Sequence, residues 1–114
     1  MTVIDIAVAM RHLKMDPDDD STEVLSKLED AEDIAMTYMG RRIYATPDLL
    51  AAGVLNGDAG DDPIVIKPGI RAAILLILGR LNSHREDVVV GVSATELPQG
   101  AETLLRPHRV DMGV

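Results

Sequence analysis

Apolar positions along this chain fall into helical stripes separated by polar, Pro-rich and Gly-rich breaks. Val3, Ile4, Ala7, Val8 and Leu13 form one face of a short helix running to about Lys14, with Thr2 and Asp5 spaced as a capping box. The Asp16-Pro17-Asp18-Asp19-Asp20-Ser21 stretch follows, its Pro and carboxylates suited to the positive first turn of another helix. From there Val24, Leu28, Ala31, Ile34, Ala35 and Tyr38 recur at three- and four-residue steps until Gly40, a natural C-terminal stop, so a long helix is predicted over residues 18–39.

Residues 41–63 lose this periodicity. Thr46-Pro47, Gly53, Asn56-Gly57-Asp58 and Gly60-Asp61-Asp62 read as a long loop over residues 45–62, with at most one helical turn from Pro47 to Ala52. A connection of that length in a small domain is a candidate contact segment, with Pro47, Leu49 and Leu50 its candidate interface residues. Residues 64–66 read as a short extended piece. Pro68 then opens a second long helix to about Ser83 with Ile70, Ala73, Ile74, Ile77, Leu78 and Leu81 on its main stripe. Leu75 and Leu76 lie off that stripe, so this helix is expected at the centre of the core with apolar surface to spare. The β-branched Val88, Val89, Val90 and Val92 form an extended arm within residues 86–97 that pairs either with residues 64–66 or with a second copy of the chain. Pro98 begins a last short helix to about Arg106. The expected fold is mainly α: a single-domain small helical bundle of two long antiparallel helices with short N- and C-terminal helices, a long loop and a β-prone arm.

Charge narrows the list of functions. The formal net charge is −8, and residues 1–62 carry fourteen acids against five bases, so the imbalance lies in the first half. A general binder of nucleic acid or anionic membranes needs the opposite sign. With two Tyr and no Phe or Trp, aromatic platforms for stacking bases are missing too. No basic region followed by an apolar run marks an export signal, and residues 72–79 are far too short to span a bilayer, so a protein used without export is expected.

Candidate chemistry is sparse. Asp16, Asp18 and Asp20 alternate as in a calcium loop, but Ser21 stands at the Gly position and Lys27 at the bidentate Glu position. Asn56, Asp58 and Gly60 fail the same test at Asp61 and Lys67. His12, His84 and His108 have no ligand spacing and there is no Cys. No Ser lies in a nucleophile elbow, and Gly53, Gly57 and Gly60 match no phosphate-binding loop. No catalytic residue, metal site or cofactor is predicted. Arg41-Arg42 reads as compensation of a helix C-terminus in preference to a phosphate contact.

The order of segments resembles the small head–tail connector, or adaptor, family of long-tailed double-stranded DNA phages. The resemblance rests on Tyr38-Met39-Gly40-Arg41 closing one helix and on Ile70-Arg71-Ala72-Ala73-Ile74-Leu75-Leu76-Ile77 in the next. It continues through Arg85-Glu86, Val88-Val89-Val90-Gly91, Glu96-Leu97-Pro98 and Leu104-Leu105-Arg106-Pro107-His108-Arg109-Val110, spanning about residues 4–110. The chain departs from the pattern in its long 45–62 segment and in His84, where members often carry an aromatic residue. The resemblance implies a virion structural protein assembled in the host cytoplasm into a high-order ring, dodecameric in the virion. That ring would lie under the portal protein, prolong the DNA channel and receive a neck or tail-completion protein, with genomic DNA passing without specific binding. On this reading Val88, Val89, Val90, Val92, Pro47, Leu49 and Leu50 are subunit, portal or tail contacts, and Asp16, Asp18, Asp19 and Asp20 an acidic rim or channel face. The rival expectations are a small acidic regulatory module that binds a soluble protein, and a small enzyme or metal-binding helper.

Overall fold

The computed structural model describes residues 2–16, 18–19, 21–60, 62–83 and 99–110. In chain order they form α1 (Ile6–His12), α2 (Thr22–Met39), β1 (Ile43–Tyr44), α3 (Pro47–Asn56), β2 (Ile64–Val65), α4 (Pro68–Ser83) and α5 (Gln99–Leu105), closed by a 3₁₀ turn over Arg106–His108. The fold is mainly helical, as expected. The extended arm with Val88, Val89, Val90 and Val92 lies outside the described residues, as do Asp20 and His84.

The periodic stripes bury as their spacing predicts. α4 contributes Ile70, Ala73, Ile74, Ile77, Leu78 and Leu81, all buried, and α2 packs Val24, Leu28, Ala31, Ala35 and Met39 against it. Lys27 near the start of α2 hydrogen-bonds Asn82 near the end of α4 at 3.4 Å, so the two long helices run antiparallel. α1 covers one side through Ala9 and Met10, and α5 covers α4 with Ala101 and Leu105. Leu75 packs half-buried on the core, and Leu76 lies beside Gly100 of α5, where an added Cβ would stand 3.3 Å from its Cδ1.

Helix starts differ from the expectation by local hydrogen bonding. Asp5 itself caps α1, its carboxylate accepting from the Ala7 N–H at 3.0 Å, while Thr2 donates to the Ile4 carbonyl. α2 begins at Thr22, four residues later than predicted, because Asp16 and Asp19 close a turn of their own. The Asp16 N–H donates to the Asp19 carboxylate and the Asp19 N–H to the Asp16 carbonyl, both at 3.0 Å. Carboxylates that bond the local backbone compete with helix formation in this way.

The largest correction concerns residues 45–62, expected as a loop and found to hold the ten-residue α3. Thr46 caps it, accepting from the Leu49 N–H at 3.2 Å, Pro47 occupies its first turn, and Gly57 ends it in the left-handed conformation at φ 79°. Tertiary structure supplies the reason. β1 and β2 pair in parallel, Ile43 opposite Ile64 and Tyr44 opposite Val65, and parallel neighbours require a crossover of a dozen or more residues, usually helical. α3 is that crossover. β1 was not predicted at all, and among the described residues it is β1 that pairs with the 64–66 piece.

Candidate protein interaction site

Three surfaces combine exposure with unusual composition, and the first is α3. Its sequence, PDLLAAGVLN, is almost wholly apolar, yet Gly53 alone among its residues is buried. Leu55 is 87% exposed, Val54 55% and Leu49 40%. Such apolar surface on a small protein marks an interaction site when it is contiguous. Gly53 sets how α3 sits on the body, because a Cβ there would fall 2.7 Å from Cζ of Tyr44. The helix thus lies directly on the β1 ring, and a larger residue would lift it.

The second surface is a groove of about 280 Å³ beside α3, lined by Val3, Glu32, Met36, Arg42, Tyr44 and Leu49 among others. Glu32 at its base is 4% exposed. Its carboxylate accepts from the Val3 N–H at 3.0 Å and the Ile4 N–H at 2.8 Å, so it fastens the N-terminal segment to α2. Burial raises its pKa above the ordinary 4.5, and the two backbone donors oppose that shift. Reading by periodicity missed Glu32, since a charged residue one step from Ala31 on a helix stripe looks like an edge position. Its signal is visible only with the N-terminal segment in place.

The third surface is the acidic turn. Asp16, Asp18 and Asp19 are exposed, ahead of the first turn of α2. α2 is roughly 27 Å long, and α3 follows its far end, so the acidic turn and the α3 surface do not form one site. Of the predicted contact residues, Leu49 lines the groove, Leu50 is half-buried and Pro47 is exposed at the start of α3. Among the described residues no group of three or more His, Asp or Glu converges on a metal-sized space. No helix among them is long and apolar enough to cross a membrane.

Arg41 does not act as a simple helix-end charge. Its Nε donates to the Asp62 carbonyl at 2.7 Å and its Nη1 to the His108 carbonyl at 3.3 Å. Gly40, left-handed at φ 70°, turns the chain there. Arg109 Nε donates to the Tyr38 carbonyl at 3.0 Å with its guanidinium 5.1 Å from the Tyr38 ring centroid, and the Val110 N–H donates to the Met39 carbonyl at 2.9 Å. Of the carbonyls left open at the end of α2, those of Tyr38 and Met39 are therefore satisfied by the C-terminal segment, and that of Met36 by the Gly40 and Arg41 N–H groups. His108, held in this cluster, has its pKa lowered by burial and by the nearby charges of Lys67 and Arg41.

These contacts join the Tyr38-Met39-Gly40-Arg41 segment at the end of α2 to the C-terminal His108–Val110 segment. The chain belongs to the phage gp6-like head-tail connector family, whose sequence model matches residues 4–109. Its role is accordingly that of a structural connector at the phage head–tail junction. No curated protein and no solved structure matched the chain.

Proposed function

We propose that this chain is the repeating subunit of a ring that docks on the portal of the filled head, extends the DNA channel and receives a neck or tail-completion protein. The family match over residues 4–109 carries this reading. Physical features support it. A net charge of −8 lowers the affinity of a channel wall for phosphates, since attraction to DNA grows with the number of phosphates that basic side chains neutralise. An apolar helix that is exposed in the monomer supplies surface for a neighbour.

In this reading α3, including Pro47, Leu49 and Leu50, and the arm with Val88, Val89, Val90 and Val92 make the subunit, portal or tail contacts. Asp16, Asp18, Asp19 and Asp20 form an acidic rim or channel face. Negative-stain microscopy and sedimentation of the purified chain, alone and with a portal ring, test the proposal. The expected product is an annular particle with an axial hole that co-sediments with the portal. A chain that stays monomeric at every concentration and ignores the portal overturns it. Deleting residues 88–92 should leave a folded monomer that makes no rings, and rings from that deletion would remove the arm from the interface.

A further inference from the structure

We infer that neighbouring copies join ridge to groove: Leu55 on the outer face of α3 in one copy, with Val54 on the flank of the same helix, seats in the groove beside α3 of the next. This rests on the reading of the chain as a self-assembling connector and specifies its contact. On a helix advancing 100° per residue, the buried Gly53 marks the inward direction. Leu49 falls about 40° from it, toward the body, where it lines the groove. Leu55 falls about 160° from it, pointing away from the body, which agrees with its 87% exposure. Asp48, seven residues earlier, shares the outer face with Leu55 at a separation of about 10 Å.

Ridge and groove are therefore different surfaces of one subunit. A contact between them is heterologous: it repeats head to tail and closes into a ring when the rotation allows, whereas a self-complementary patch would stop at a dimer. Charge favours a second copy as the occupant. Asp48 is exposed on the ridge, Arg42 is exposed at the groove rim, and among the described residues neither has an ion-pair partner. Both carboxylate oxygens of Glu32, which lines the groove, already accept from the Val3 and Ile4 N–H groups, so an entering aliphatic side chain strands neither oxygen without a donor. At about 280 Å³ the groove is below the usual range for small-molecule sites and suits a few side chains.

A complementation experiment on the full-length chain tests this. Leu55→Asp breaks the ridge and leaves the groove, while Ala45→Trp, at a residue that also lines the groove, fills the groove and leaves the ridge. In sedimentation velocity each variant alone should be monomeric under conditions where the wild type forms rings. Mixed in equal amounts, they should give a heterodimer and nothing larger, because only one ridge and one groove remain. Asp48→Arg and Arg42→Asp should each weaken assembly at least tenfold, and together they should restore it. Rings from Leu55→Asp, or a mixture that stays monomeric, overturn the interface while leaving the connector reading intact. A wild type that is monomeric at every concentration overturns both. A drop in the urea midpoint of monomeric Leu55→Ala, which keeps helix propensity and adds no charge at the helix end, well beyond that of a surface substitution would show that Leu55 is covered within its own chain, and that also overturns the interface.

Discussion

α3 and α4 begin alike, each with Pro in its first turn and a mostly apolar sequence, yet they end in opposite environments. α4 places six aliphatic or Ala side chains in the core, whereas α3 buries only a glycine. Pattern accounts for the difference. In α4 the apolar positions recur at three- and four-residue steps, so one stripe meets α2 while another meets α5. In α3 the apolar residues run around the helix, and the one fully buried position is kept free of a side chain so that Tyr44 can lie against it. Similar hydrophobicity therefore serves the fold in one helix and remains available for a partner in the other.

The strongest way to sharpen this contrast is to truncate a core side chain of α4. Ile74→Ala or Leu78→Ala should cost about 2–5 kcal/mol in urea unfolding, the range for cavities in a packed core. Leu55→Ala on α3 should stay within about 0.5 kcal/mol for the monomer. A comparable loss at Leu55 would erase the distinction.

Next in size is Glu32→Ala, which strands the buried Ile4 N–H and the half-buried Val3 N–H and should cost about 1–3 kcal/mol, most of it at Ile4. Glu32→Gln isolates the titration. The folded-state pKa is raised, so the native state binds more protons than the unfolded state in the interval above 4.5. The contribution of Glu32 is then greatest below that value and declines as pH rises through the folded-state pKa. The stability difference between wild type and Glu32→Gln, measured by urea unfolding across that interval, should fall with rising pH.

Gly53→Ala should cost about 1–3 kcal/mol through overpacking against Tyr44, unless α3 lifts. Lifting would register as impaired ring assembly with nearly unchanged stability, so both readouts are needed. The smallest effect concerns His108. Its lowered pKa means that the unfolded state binds more protons in the interval below 6.5, so stability should rise with pH there. In an NMR titration, added salt should raise the pKa only partway to its ordinary value, since salt screens Lys67 and Arg41 but leaves the burial, the larger cause, in place.

Much of the fold was legible from residue spacing. The stripe from Val24 to Tyr38 and the Gly40 stop describe α2 to its last residue, and Pro68 marks the start of α4. α3 was obscured although Thr46-Pro47 and Asn56-Gly57 carry its start and stop, because a central glycine and apolar residues on all sides resemble a loop when no packing face can be assigned. Of the site, Leu49 and Leu50 were singled out on a contact segment, while Val54 and Leu55, the most exposed large hydrophobic residues of that segment, were not, for the same reason.

Alone, the order of residues determined that α1, α2, α4 and α5 are helical, which faces of α2 and α4 bury, and that the chain has no Cys, Phe or Trp. Those properties follow from periodicity and composition, which act within a few turns of chain. Tertiary structure decided that Ile43–Tyr44 and Ile64–Val65 run in parallel, that α3 must bridge them, that Glu32 is buried under the N-terminal segment, and that Arg41 and Arg109 tie the C-terminal segment to α2. Each of these joins residues twenty or more positions apart, and their pairing depends on backbone donors and acceptors that every residue type carries, so no local pattern announces it.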